Sequence, residues 1–155
     1  LDNPNDYDIR ANLMWAATNA LNVWIGQGVP QDWSSHRMGY ALTAQFGLDH
    51  AQTLAILLPG VMTYMRKEKA AKLIRMGEVV FGITEGSADE KAQKSIEATE
   101  DFFHFMGLKT RLSDYGIKES DLDALVEPID RMGWKLGEYG NINSKVAKEI
   151  LLLRL

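Results

Sequence analysis

Cysteine is absent from the 155 residues, which excludes disulfides and thiolate metal ligands and suits a reducing, cytoplasmic setting. No run of about eighteen apolar residues occurs, so the sequence offers no membrane span. Seventeen Lys and Arg stand against twenty-one Asp and Glu, a net charge of −4, which argues against nucleic-acid binding, a task that needs a basic face. No G-x-G-x-x-G follows a strand and no G-x-x-x-x-G-K-[ST] loop is present, so the chain carries no nucleotide-binding fold of its own. An initiator methionine is missing too. The chain opens on Leu1-Asp2-Asn3-Pro4 with no signal segment, which suggests a segment of a longer polypeptide.

What is present is helical spacing, with strand alternation hardly visible. A hydrophobic fraction of 46% with 25% charged residues is ordinary for a globular protein, and the length predicts a single domain over residues 1–155. Asn3-Pro4 reads as the cap and first turn of a helix, with Asp6 and Asp8 near its positive end. Ile9, Leu13, Ala16, Ala17, Ala20, Leu21 and Trp24 form its apolar stripe, stopped by Gly26 to Pro30. Asp32 can cap a second helix that Gly47 ends. A third starts near His50 and runs through Thr53 to Leu58, where Pro59-Gly60 should kink or break it.

Arg66 to Phe81 reads as an amphipathic helix with Ala70, Leu73, Ile74, Gly77, Val80 and Phe81 inward. Ser87 and Glu90 make a capping box for the next helix, which buries Ile96, Thr99, Phe102, Phe103 and Met106 and stops at Gly107. Ser120 caps a helix through Ile129, perturbed by Pro128, and Asn143 or Ser144 starts the last. The expectation is all-α: a bundle of about seven helices.

Chemistry concentrates in Asp32-Trp33-Ser34-Ser35-His36-Arg37-Met38-Gly39-Tyr40 and Gly47-Leu48-Asp49-His50, which hold two of the three histidines. Imidazole is a preferred ligand of Zn²⁺ and Fe²⁺, and two can fill half of a four-coordinate site. On one continuous helix His36 and His50 would stand about 21 Å apart, so the chain must double back. A helix reaching Gln45 carries it about 13 Å away, and Phe46 to His50, near-extended, can just return. That favours a helix that frays early. Spacing alone equally allows surface or hydrogen-bonded core histidines. Asp32 and Asp49 are most simply helix caps, Glu100 and His104 a surface pair or a contact behind the ligands, and Trp15, Trp24, Trp33 and Trp134 core or interface anchors.

These residues resemble a known family. Asn12-Leu13-Met14-Trp15-Ala16-Ala17-Thr18, Gly28-Val29-Pro30-Gln31-Asp32-Trp33, His36-Arg37-Met38-Gly39-Tyr40-Ala41-Leu42-Thr43, Gly47-Leu48-Asp49-His50-Ala51-Gln52-Thr53-Leu54 and Leu57-Leu58-Pro59 resemble the iron-containing (group III) alcohol dehydrogenases. Ile83-Thr84-Glu85-Gly86 and Thr110 to Gly116 match the same branch, that of butanol dehydrogenases and aldehyde reductases. The resemblance implies an all-helical C-terminal domain and an NAD(P)H-dependent interconversion of alcohols and aldehydes. It implies a divalent metal, Fe²⁺ or Zn²⁺, held by His36 and His50, with an aspartate and a histidine supplied from upstream. NAD(P)H would be bound mainly by a missing N-terminal nucleotide-binding domain, and a homodimer is a candidate assembly. Where many members carry a further histidine, this chain has Tyr40, which is expected to line the pocket and carry a catalytic hydroxyl or to fill space. A self-contained metallohydrolase using Asp32, His36, Asp49 and His50, and a scaffold without chemistry, are the other readings.

Overall fold

The computed structural model describes residues 2–155, and the chain forms two compact units, one ending at Gln31 and one spanning Asp32–Leu155. Seven α-helices are present among the described residues, with no strand beyond an isolated bridge between Leu136 and Ile142. The all-α expectation holds. No described helix is long and apolar enough to cross a membrane.

The first unit is built on α1 (Tyr7–Leu21). Its cap is Asp6, whose carboxylate accepts the Ile9 N–H at 3.0 Å, with Asp8 in the first turn. Asn3-Pro4 therefore lies outside the helix, because the Asp6 carboxylate reaches an orphan amide that Asn3 does not. The apolar stripe is present in register but not buried: no α1 residue is, and Leu13 is 60% exposed. Trp24 falls outside α1, in a short 3₁₀ turn entered through Val23 at φ 64°. Some thirty residues with one helix cannot enclose a core, whatever the periodicity.

The second unit holds α2 (Ser34–Phe46), α3 (His50–Tyr64), α4 (Ala70–Phe81), α5 (Ala88–Phe105), α6 (Leu122–Arg131) and α7 (Ser144–Leu152). At its centre α3 packs against α2, α5 and α7. Leu42, Ile56, Leu57, Leu122, Ile142 and Ile150 are wholly buried in the main core, and Met62, Leu73, Ala92 and Ile96 form a smaller cluster. Of the kink or break expected at Pro59-Gly60, the break does not occur: α3 runs on to Tyr64. A helix buried along most of its length outweighs the roughly 3 kcal/mol that an interior proline costs.

Other boundaries move for local reasons. Residue 33, not Asp32, is the N-cap of α2: Trp33 sits at φ 56°, while the Asp32 carboxylate accepts the Ser34 N–H at 2.9 Å. The Ser87–Glu90 capping box forms as expected, with the Ser87 N–H on Glu90 at 2.7 Å. Asn143 caps α7 by accepting the Val146 N–H. Ser120 is not a cap but lies in the 3₁₀ turn Glu119–Asp121, which leads into α6 and is closed by the Lys118 N–H on Asp121. In α4 the buried stripe is Leu73 and Gly77, and Val80 is exposed. In α5 the buried residues are Ala92, Ser95, Ile96 and Thr99, whereas Phe102 and Met106 are exposed. Both helices meet where Gly77 faces Ser95, and their last turns reach beyond that contact without an apolar layer to cover them.

Candidate metal centre

His36 lies in the first turn of α2 and His50 is the first residue of α3. Gly47 ends α2 in the left-handed region at φ 68°, its N–H on the Thr43 carbonyl at 3.0 Å. The Thr43 hydroxyl donates to the Leu48 carbonyl at 2.9 Å, holding the reversal shut. Asp49 is extended, and its N–H donates to the Gln52 side chain at 2.8 Å as the cap of α3. The imidazole rings of His36 and His50 end with centroids 5.1 Å apart, inclined by 53°. The spacing argument favoured an early-fraying α2, but the helix runs its full 13 residues. The left-handed Gly47 turns the chain, the extended Asp49 leads it back, and the reach of two imidazoles makes up the distance.

The crossing of α2 and α3 is close because of Gly39. A Cβ placed there would stand 2.8 Å from the Thr53 hydroxyl oxygen and 3.2 Å from Thr53 Cβ. Thr53 is wholly buried, and its hydroxyl donates to the His50 carbonyl at 2.8 Å. One small residue thus sets the approach of the helix bearing His36 to the turn bearing His50.

The entry to α2 is tied down by charge. Lys69 Nζ lies 2.9 Å from Asp32 and 3.1 Å from Glu138, and the Asp32 carbonyl accepts the Gly137 N–H at 3.1 Å. Burial opposes the charge on Asp32, but hydrogen bonds from Ser34 and Lys69 outweigh it and hold the carboxyl below its ordinary value. Trp33 stands edge-on to His36, centroids 5.2 Å apart. Burial first, and then the neighbouring His50, lower the pKa of His36, a shift that favours the uncharged ring.

Two imidazoles sharing a tetrahedral ion at about 2.1 Å from each donor nitrogen would place their ring centroids about 5 Å apart. The observed 5.1 Å fits that requirement, and the donors suit Fe²⁺ or Zn²⁺. Among the described residues no three His, Asp or Glu side chains come together to hold a metal. The self-contained site of Asp32, His36, Asp49 and His50 is therefore not assembled: Asp32 is committed to Ser34 and Lys69, and Asp49 caps α3.

The imidazole pair is flanked by two hollows. One, of about 250 Å³, is walled by Trp33, His36, Leu54, Leu58, Val61 and Met62. The other, about 460 Å³ and more open, is lined by Tyr40, Thr43, Leu48, Asp49 and His50. Tyr40 is half-exposed one turn beyond His36 and shares the second hollow with His50.

Glu100 and His104 prove to be more than a surface pair. Both converge on Thr110: its hydroxyl donates to Glu100 at 2.6 Å and lies 3.0 Å from His104 Nε2. Buried Arg154 forks onto the Glu100 carboxylate and donates to the Thr110 carbonyl at 2.8 Å. Burial acts against the Glu100 charge, yet Arg154 and Thr110 hold its carboxyl below the usual range. This network ties α5 to the chain end and touches neither His36 nor His50. Sequence reading missed Arg154, whose one signal is a lone charge inside the apolar Leu151 to Leu155 run, and Lys69, whose partners are too distant in sequence to be foreseen. None of the four tryptophans is buried, so core anchoring fails as a general role; Trp134 alone packs, half-covered, against the main core.

Comparison with known proteins adds a family. The model of the Fe-containing alcohol dehydrogenase family, C-terminal, matches residues 1–151. NADPH-dependent aldehyde reductase YqhD of Escherichia coli (strain K12) is 50% identical over 151 residues, covering 97% of this chain and 39% of that protein. NADH-dependent butanol dehydrogenase B of Clostridium acetobutylicum is 37% identical over 155 residues, covering 97% of this chain and 39% of its own. The crystal structure of E. coli YqhD superposes with a TM-score of 0.96 at 49% identity, over 100% of this chain and 40% of that one. That of NADH-dependent butanol dehydrogenase A from Thermotoga maritima gives 0.88 at 33% identity, over 97% of this chain and 40% of the other. The chain spans about two fifths of the length of these relatives.

Proposed function

Because the chain belongs to the Fe-containing alcohol dehydrogenase family, in its C-terminal part, we propose that it is the metal-holding helical domain of an NAD(P)H-dependent alcohol dehydrogenase or aldehyde reductase. The single observation that carries this reading is the His36–His50 pair, 5.1 Å between ring centroids at the start of two consecutive helices. We take residues 1–155 as one domain of a longer cytoplasmic enzyme whose N-terminal nucleotide-binding domain lies outside this chain. The match over residues 1–151 and the lengths of the relatives support it.

When bound, a divalent Fe²⁺ or Zn²⁺ supplies a Lewis acid for the substrate oxygen and the nicotinamide supplies or accepts hydride. His36 and His50 hold the ion from this side, each through a ring nitrogen. The lowered pKa of His36 favours the neutral ring that a ligand needs. Trp33 packs against that ring, centroids 5.2 Å apart, and limits the orientations open to it. Tyr40, which lines the hollow shared with His50, would donate a hydrogen bond from its hydroxyl to a substrate oxygen. A phenol hydroxyl is a competent hydrogen-bond donor and a poor general base.

Elemental analysis of this chain and of the full-length polypeptide tests the proposal. About one Fe or Zn per full-length chain, lost in His36→Ala and His50→Ala, with little on residues 1–155 alone, is the expected result. This chain mixed with NADPH, an aldehyde and Fe²⁺ or Zn²⁺ should give no turnover. Stoichiometric metal on residues 1–155 alone, or clear turnover, would refute the divided site. Full metal content and activity in both histidine variants would favour a scaffold instead.

A further inference from the structure

Arg37 follows His36 on α2, and its guanidinium carbon lies 4.8 Å from the ring centre of Trp134 and 5.8 Å from that of Tyr40. Both rings are thus within cation–π range of one charge. Among the described residues Arg37 makes no ion pair with any carboxylate, so the two rings are what its charge meets within the protein on an otherwise exposed side chain. Arg37 and Tyr40 are three apart and share a helix face. Trp134 comes from the turn after α6, where its N–H donates to the Ile129 carbonyl at 2.9 Å and its ring packs partly against the main core. One wall of this sandwich is therefore fixed, and the other is a half-exposed tyrosine with little else to restrain it.

We propose that Arg37 is a positioning residue: fixed on Trp134, it holds the Tyr40 ring in the hollow shared with His50 and so aims the phenol hydroxyl at the reacting oxygen. This rests on the reading of Tyr40 as the hydrogen-bond donor of the site. The alternative, a bland surface contact, makes a different prediction. A surface contact affects all properties weakly and independently of the Tyr40 hydroxyl, whereas a positioning residue acts only through it.

The experiment uses the full-length, metal-loaded enzyme with NADPH and butanal, measuring kcat and KM for both. Arg37→Met keeps the apolar stem against the rings and removes the charge. It should lower kcat about 3-fold, the population bias that an exposed cation–π contact can hold, with KM for NADPH unchanged. Arg37→Lys, which keeps a cation there, should recover most of the loss. Tyr40→Phe should lower kcat by itself, and adding Arg37→Met to it should cost nothing more. Loss of kcat in Arg37→Met that persists undiminished in the Tyr40→Phe background overturns the inference, as does an unchanged kcat in Arg37→Met. A Tyr40→Phe enzyme with wild-type kcat sinks the reading of Tyr40 first, and the inference with it, so the two failures are told apart. Should Arg37→Met fail to fold, Trp134→Phe weakens the same clamp from its fixed wall and must show the same dependence on the Tyr40 hydroxyl.

Discussion

Replacing Gly39 by alanine separates two opposed forces. Helix propensity alone favours the change, since alanine in a helix interior is better than glycine by about 1 kcal/mol. The crossing of α2 and α3 opposes it. The added carbon would sit 2.8 Å from the Thr53 hydroxyl oxygen and 3.2 Å from Thr53 Cβ, where comfortable carbon contacts begin near 3.5 Å. If the helices part by a few tenths of an ångström, packing is lost around buried Met38, Leu42 and Leu57. If Thr53 turns instead, its buried hydroxyl gives up the His50 carbonyl, at about 1–3 kcal/mol. Overpacking of this kind costs about 1–3 kcal/mol, so Gly39→Ala should destabilise by about 1 kcal/mol net.

Urea unfolding reads this directly. With a slope of about 2 kcal/mol per molar, the midpoint should fall by about 0.5 M. The same substitution in a Thr53→Ala background should cost less, because the closest obstacle is gone. A Gly39→Ala midpoint at or above wild type would mean that propensity wins and that Gly39 does not set the crossing.

Three further outcomes are expected. Arg154→Ala removes the buried guanidinium that forks onto the half-buried Glu100, leaving Arg111 at 3.6 Å, and should lower stability by about 2 kcal/mol, measured by the same urea titration, with Arg154→Lys only partly restoring it. Glu100 and Asp32 have folded pKa values lowered from 4.5 and 3.8, so their stabilisation is present above those values and is lost as pH falls through the lower folded ones. Urea midpoints should therefore drop between pH 5 and pH 3, and Glu100→Gln should flatten that drop. Tryptophan fluorescence should respond to Zn²⁺ in the full-length protein through Trp33, edge-on to His36, and the response should vanish in His36→Ala.

Features decided within a few residues were legible in the sequence. The Ser87–Glu90 box, the Asn143 cap and the Gly47 stop each depend on one side chain and the next turn, and all three are found. The histidine pair was legible as a possibility because chain geometry bounds how far ten residues of helix and a short connector can carry the backbone. Burial was not legible. Periodicity marks which residues share a face but not whether another layer covers it, so the α1 stripe, Val80 and Phe102 were assigned inward and are exposed. That α3 continues past Pro59 without a break is decided by the packing around it, not by its local chemistry. The Asp32–Lys69–Glu138 cluster and the Arg37 sandwich join residues far apart in sequence, and neither leaves a local mark.

Both imidazoles emerge from the first turns of α2 and α3, and each helix presents roughly half a positive charge at that end. The Asp32 carboxylate at the entry to α2 and Asp49 at the cap of α3 stand at those same ends and offset the two helix fields. The start of each helix therefore carries its own counter-charge, and the imidazoles of the proposed pair would add donor atoms there without adding formal charge.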